Sequence, residues 1–288
     1  MAGNSFAPAT GRTWSAGVQV DLAPGAWGVR VAEFLGCGFR IALPADDTDG
    51  SAGDRAGDAT AFGWAQVCHL ADVLGAEPDE APWRTAEQLL RAGQPVLLEG
   101  GWESVFRGPL GPPVTRLLPG RTPATGRVAT GVVLPWSASV GSPLSSSPLI
   151  SSHEETLAAA HVASCGPPGG VALWTTPDGC LTRSDAGVLL ALHPDGSWTV
   201  PSGPGTVPTW LGTRLAQRLG ARPGSVPATV LEAHQRTRVG LVAVDAWGSR
   251  TAVLQTSTTR SALVPPALVR RAASEVDRAL VGLVGRRG

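Results

Sequence analysis

VALWTTPDGCLTRSDAGVLLALHPDGSWTVP, from Val171 to Pro201, is the stretch whose reading decides the fold. Val171–Thr175 has the β-branched and apolar character of a strand. Pro177-Asp178-Gly179 then makes a turn, because proline presets φ at one corner and glycine accepts the left-handed corner that follows. A second turn, Pro194-Asp195-Gly196, separates residues 188–192 from 198–200 and joins them as a β-hairpin.

Working outward, the segment 152–163 predicts a helix, with Ser152 and Glu155 spaced as a capping box. Residues 209–219 predict another, ended by Gly220. Residues 239–244 and 252–254 read as strands, and 265–283 as a final amphipathic helix. The richest break is Ser137 to Pro148, SASVGSPLSSSP, which reads as an interdomain linker. The expected domains are therefore 1–136 and 150–288, with 137–149 between them.

The first domain mixes strands and helices. Residues 18–22, 29–34, 39–43, 96–98 and 128–134 are expected strands. Residues 62–74 carry Val67, Leu70, Ala71 and Leu74 at helical spacing, and 83–92 is a second short helix. The Gly/Asp/Ala segment 46–60 and the Pro/Gly-rich segment 107–126 are expected loops.

Composition bounds the function. The chain has 288 residues, 43 % hydrophobic and 16 % charged, which suits a soluble globular protein with a sizeable core. Formal net charge is zero, so there is no basic stripe to attract nucleic acid. No apolar run approaches the ~18 residues of a membrane span. Residues 1–17 lack the apolar core of a signal peptide, so a cytoplasmic location is expected. The four cysteines, Cys37, Cys68, Cys165 and Cys180, form no CxxC pair and read as reduced, mostly buried thiols. All 23 basic residues are arginine; there is no lysine and no tyrosine. Abundant Ala, Gly, Pro, Arg and Val resemble the output of a very GC-rich bacterial genome. Codon bias can turn surface lysines into arginines, but it should not remove a lysine that chemistry requires, since arginine stays protonated.

Several motifs are set aside. His153-Glu154 begins like HExxH, but Leu157 stands at the second histidine position. Asp47-Thr48-Asp49-Gly50 lacks the flanking acids of a calcium loop. No metal site is expected. Gly203-Pro204-Gly205-Thr206 has no P-loop lysine, and no GxSxG elbow occurs.

The order of landmarks from about Pro148 to Val253 resembles the class IV aminotransferase family, the fold-type IV pyridoxal phosphate (PLP) enzymes that include 4-amino-4-deoxychorismate lyase. SSHEETLAAAH (151–161) stands where the family carries its lysine helix. The strand, turn and hairpin of 171–201 are similar to its central strands. TWLGTRLAQRLGA (209–221) resembles its phosphate-side helix, and LVAVDAWGSRTAV (241–253) its late strand and turn. FGWAQVCHLADVLGA (62–76) is similar to its N-terminal "H-x-x-R-L" helix. The resemblance implies an α/β (α+β) protein with a smaller N-terminal α/β domain and a C-terminal barrel-like domain, forming homodimers.

Carried over position by position, the resemblance implies a degenerate site. The Schiff-base lysine falls on Ser152, with Ser151 and His153 equally unable to form an imine. The acid facing the pyridine nitrogen falls on Arg183, and the following asparagine on Val188. The phosphate-holding arginine falls on His69. The phosphate-side helix begins at Thr209-Trp210, and the late Thr/Asn-Ser pair becomes Asp245-Ala246. No cofactor is therefore expected. What remains, His153, Glu154, Arg183 and Asp185, reads as a catalytic set for a PLP-independent lyase, isomerase or cyclase. Its substrate would be small and acidic, in bacterial specialised metabolism. His69, Ser152, Trp210 and Asp245 read as ligand-binding residues. Two alternatives stand beside this: a non-catalytic binding or scaffolding protein, and an atypical PLP enzyme using the N-terminal amine. The commoner fate of first-turn residues such as His153 and Glu154 is to face water.

Overall fold

In a computed structural model the described residues are 12–15, 17–21, 38–45, 52–102, 111–124, 126–138, 144–149, 153–231, 239–254 and 266–284. The expected strand at 29–34 and Cys37 lie outside them. Of the thiols expected to be mostly buried, Cys165 is exposed and Cys68 and Cys180 are half-buried, since each stands on a surface helix or turn. The chain forms two compact units, one of residues 1–121 with 148–151 and one of 122–147 with 152–288.

The first unit holds strands β1 (Arg12–Ser15), β2 (Val18–Val20) and β3 (Gly38–Leu43), helices α1 (Ala52–Leu74) and α2 (Ala81–Arg91), and strands β4 (Val96–Gly101) and β5 (Val114–Pro119). The strands form one antiparallel sheet in the order β2-β1-β5-β4-β3. Phe39, Ile41, Leu43, Val96 and Leu98 are buried, and α1 and α2 contribute Val67, Leu70, Ala71, Trp83, Ala86 and Leu90 to the core. A methyl group on Gly63 of α1 would lie 2.7 Å from the Trp83 ring of α2. Glycine there lets the two helices approach.

Two expected loops are corrected. Most of 46–60 is helix, since α1 begins at Ala52. Its alanines supply helix propensity and bury Ala56 and Ala59, and Thr60 Oγ1 donates back to the Ala56 carbonyl at 2.9 Å. The segment 107–126 contains β5, whose six residues pair with β4 from Val96↔Pro119 to Gly101↔Val114. The prolines that suggested a loop stand at its borders and at its last residue.

The second unit opens with β6 (Arg127–Ser137), then α3 (His153–Cys165), β7 (Val171–Thr175), β8 (Leu181–Ser184), β9 (Val188–Leu192) and β10 (Trp198–Pro201). There follow α4 (Trp210–Arg218), β11 (Arg222–Gly224), a 3-10 turn at Ala228–Leu231, β12 (Gly240–Val244), β13 (Arg250–Leu254) and α5 (Ala267–Val284). Eight strands join in the order β11-β10-β9-β12-β13-β6-β7-β8, curled as a half-barrel. The strand at 128–134, which the sequence placed in the first domain, is thus internal to the second unit. It runs parallel to both β13 and β7.

Alternation sorts the side chains of this sheet onto two faces. Val171, Leu173, Leu181, Leu189, Leu241, Ala243 and Val253 share one buried cluster. On β7, Ala172 and Trp174 face the other way, into a cluster with Val132, Leu134 and, from α3, Ala158 and Val162. Ala252 and Leu254 of β13 pack against Val269 and Ala273 of α5. Among the described residues, no helix is long and apolar enough to cross a membrane.

Candidate functional site

The β7–β8 pairing brings the first two candidates together. Trp174 and Arg183 are cross-strand partners, so both side chains lie on the α3 face of the sheet. The Arg183 guanidinium stacks over the Trp174 ring, 4.6 Å from its centroid. Its Nη2 donates to Glu154 Oε2 at 2.6 Å, across from the first turn of α3. The Arg183 side chain is 16 % exposed and that of Glu154 39 %. Arg183 Nε and Trp174 Nε1 are both buried without a hydrogen-bond partner. An arginine in this position is held by a carboxylate at one end and an aromatic face along its plane, two contacts that suit guanidinium better than ammonium.

Asp185 follows at the end of β8. It is an exposed residue, but its Oδ1 accepts the Ala172 N–H at 2.9 Å. Burial of the carboxyl pushes its pKa up, against the opposing pull of that N–H and of the Arg127 charge.

The remaining candidates serve local structure. Asp245 accepts the Trp247 N–H at 2.9 Å and the Ser249 N–H at 2.7 Å, closing the turn between β12 and β13. Thr209 caps α4, its Oγ1 accepting the Gly212 N–H at 3.0 Å. Trp210, the first residue of that helix, is 5 % exposed, and its Nε1 is buried without a partner. Val188 packs on the same turn: a methyl group on Gly212 would stand 2.7 Å from Val188 Cγ2. His69 lies exposed on α1 in the first unit. His153 is the first residue of α3, and Ser152, with its expected capping box, lies outside the described residues. No described hydrogen bond or ion pair joins Trp210 or Asp245 to the Glu154–Arg183 pair.

Two members of this neighbourhood escaped sequence reasoning. Trp174 was one of ten scattered tryptophans, and only the strand register sets it against Arg183. Arg127, whose charge acts on Asp185, is 58 residues away in sequence and on a strand assigned to the other domain. Among the described residues, no group of three His, Cys, Asp or Glu could hold a metal ion.

No family model matches the chain, and no curated protein matches it either. Solved structures do. The branched-chain aminotransferase of Thermoproteus uzoniensis, with norvaline, superposes with a TM-score of 0.62 at 13 % identity, covering 94 % of this chain and 95 % of that one. A protein of Legionella pneumophila described as a candidate 4-amino-4-deoxychorismate lyase gives 0.61 at 12 %, covering 85 % and 92 %. A hypothetical aminotransferase of Mycobacterium tuberculosis, in a form with α-ketoglutarate and pyridoxamine phosphate, gives 0.59 at 14 %, covering 94 % and 99 %. The chain therefore has the two-sheet α/β fold of the fold-type IV aminotransferases, as the order of its landmarks implied.

Proposed function

We propose that this protein uses the class IV aminotransferase fold without PLP, as a non-catalytic binding or scaffolding partner. The observation that carries the reading is the Arg183–Glu154 ion pair on Trp174. The resemblance assigns Arg183 the place of the acid that faces the pyridine nitrogen. A guanidinium there opposes protonation of that nitrogen, which is what makes the ring an electron sink. Here the same guanidinium is instead paired through Nη2 with Glu154, which gives both charges a structural role.

The other positions agree. The family's imine forms on a lysine amine, and the chain has no lysine. Val188 is packing, Trp210 fills the start of α4, and Asp245 would set a carboxylate near a phosphate while already closing a turn. These residues do not suit PLP, and no chemistry through it is derived. The homodimer surface implied by the resemblance is the natural place for a partner subunit.

Mixing the purified protein with PLP tests the first half. No bound absorption band and no borohydride-trapped adduct are expected, and a trapped adduct would overturn the reading. For the second half, His153→Ala and Arg183→Ala are introduced in the producing cell. An unchanged metabolite profile with folded protein supports a partner role; loss of a product restores catalysis.

One observation favours a second reading, an acid–base lyase, isomerase or cyclase acting on a small acidic substrate. Asp185 stands at the surface with its carboxyl partly enclosed, and that burial raises its pKa against the lowering pull of Arg127, which suits a carboxyl that exchanges protons. In that case Asp185→Asn abolishes turnover while leaving the fold intact.

A further inference from the structure

Two N–H donors at the contact between Trp174 and Arg183 have no acceptor. Trp174 Nε1 and Arg183 Nε are both buried, and neither is hydrogen-bonded. The residues are cross-strand partners, with the guanidinium carbon 4.6 Å from the centre of the indole ring. Nε is one bond from that carbon and Nε1 belongs to that ring, so both N–H groups lie within the span of one small molecule. A buried donor left unsatisfied costs about 1–3 kcal/mol. Two side by side mark a place for a group that accepts.

The donors select the chemistry of the occupant. Indole and guanidinium N–H groups donate only. A carboxylate suits the pair better than a water, because it has two oxygens to accept and no proton of its own to place. Arg183 can serve a second carboxylate while holding Glu154: Glu154 Oε2 takes Nη2, and a guanidinium carries five N–H donors. Glu154 is half-exposed, so water weakens its repulsion of another anion. The first turn of α3, which carries Glu154 and Glu155, adds the positive end of a helix dipole beside them. Exposure falls from Glu154 at 39 % through Arg183 at 16 % to the fully buried Trp174, which puts the way in beside Glu154.

We infer that Trp174 Nε1 and Arg183 Nε form a binding site for a small carboxylate, entered beside Glu154. The site rests on the reading of the chain as a binding protein without PLP, whose ligand class it names. One carboxylate oxygen accepts from the indole and the other from the guanidinium, and no covalent bond is made or broken. The indole fixes the direction of the ligand, because it has a single N–H to donate, and the guanidinium supplies the charge.

The test titrates the full isotope-labelled chain with sodium formate, acetate and benzoate, against sodium chloride at equal ionic strength. The Trp174 Nε1–H and Arg183 Nε–H signals are followed by NMR. At least one carboxylate should move both signals saturably, and chloride should move neither. Trp174→Phe keeps an aromatic face against the guanidinium but loses the donor. It should weaken binding about tenfold, read at Arg183 Nε–H, the loss expected for one hydrogen bond to a charged group. Unchanged affinity in that variant overturns the site. If the variant does not fold, the wild-type titration decides: no saturable shift with any of the carboxylates, a shift at Arg183 without one at Trp174, or an equal response to chloride rejects it. Carboxylate binding together with a borohydride-trapped PLP adduct, or with a product lost on Arg183→Ala, keeps the site and overturns the reading it rests on. Absence of all three overturns the site alone.

Discussion

Arg183 is both ion-paired and stacked, and the two contacts are separable. Arg183→Lys keeps the charge but loses the planar face over Trp174 and the fixed fork. It should therefore destabilise the protein by about 1 kcal/mol, read as a shift in the denaturation midpoint. A double-mutant cycle through Glu154→Ala and Arg183→Ala should give a coupling of about 1 kcal/mol. That lies at the upper end for exposed pairs, because Arg183 is mostly buried and Glu154 only partly so. Additivity of the two substitutions would mean that the ion pair contributes nothing to the fold.

Asp185 makes a prediction about pH at the same scale. Its folded pKa is raised, so the folded state favours the protonated form. Stability therefore declines as pH rises from the ordinary carboxylate value through the folded one, and the cost is complete above it. Asp185→Asn keeps an oxygen to accept the Ala172 N–H and carries no charge. Thermal melting should find it more stable than wild type at pH 7, with the advantage vanishing toward pH ~3, below ordinary carboxylate titration. A variant that melts lower than wild type at neutral pH would contradict this.

Helices and strands were legible where a period was unbroken. The run 62–74 shows its apolar spacing openly, and the hairpin at 188–200 is announced by Pro-Asp-Gly; both appear in the fold. β8 was missed because its four residues lie between two turns, too few to display alternation, although they pair with β7. β5 was missed because prolines border it and end it. The start of α1 was missed because its glycines read as loop; further along, at Gly63, close packing against Trp83 explains why glycine stands in the helix. Gly63→Ala should push α1 and α2 apart and cost about 1–3 kcal/mol, measurable by chemical denaturation. The same change at Gly75, where φ is +64° and nothing lies within 4 Å, is penalised by backbone conformation instead. The candidate site was half legible: types and positions were readable, but which charge meets which ring required the strand register.

At the scale of the molecule, the serine-rich segment 137–148 is a poor place to divide the chain. β6 ends at Ser137 yet lies inside the eight-stranded sheet, hydrogen-bonded on both edges. A fragment beginning at residue 138 would lose it and split the sheet between β13 and β7. A fragment of 122–288 retains all eight strands. Expressed separately, the longer fragment should give dispersed amide NMR signals and the shorter one should be insoluble or unfolded. The reverse outcome would show that the fold does not depend on β6.

The place of β6 also sets a schedule. Its Arg127 bonds to Thr251 of β13, 124 residues further along the chain. During synthesis β6 emerges long before that neighbour has been made. It can pair first only with β7, and one edge stays open until most of the protein has left the ribosome. Slow translation between β7 and β13 would prolong the exposure of that edge, so the yield of folded protein should depend on elongation rate and on chaperones that shield an unpaired strand.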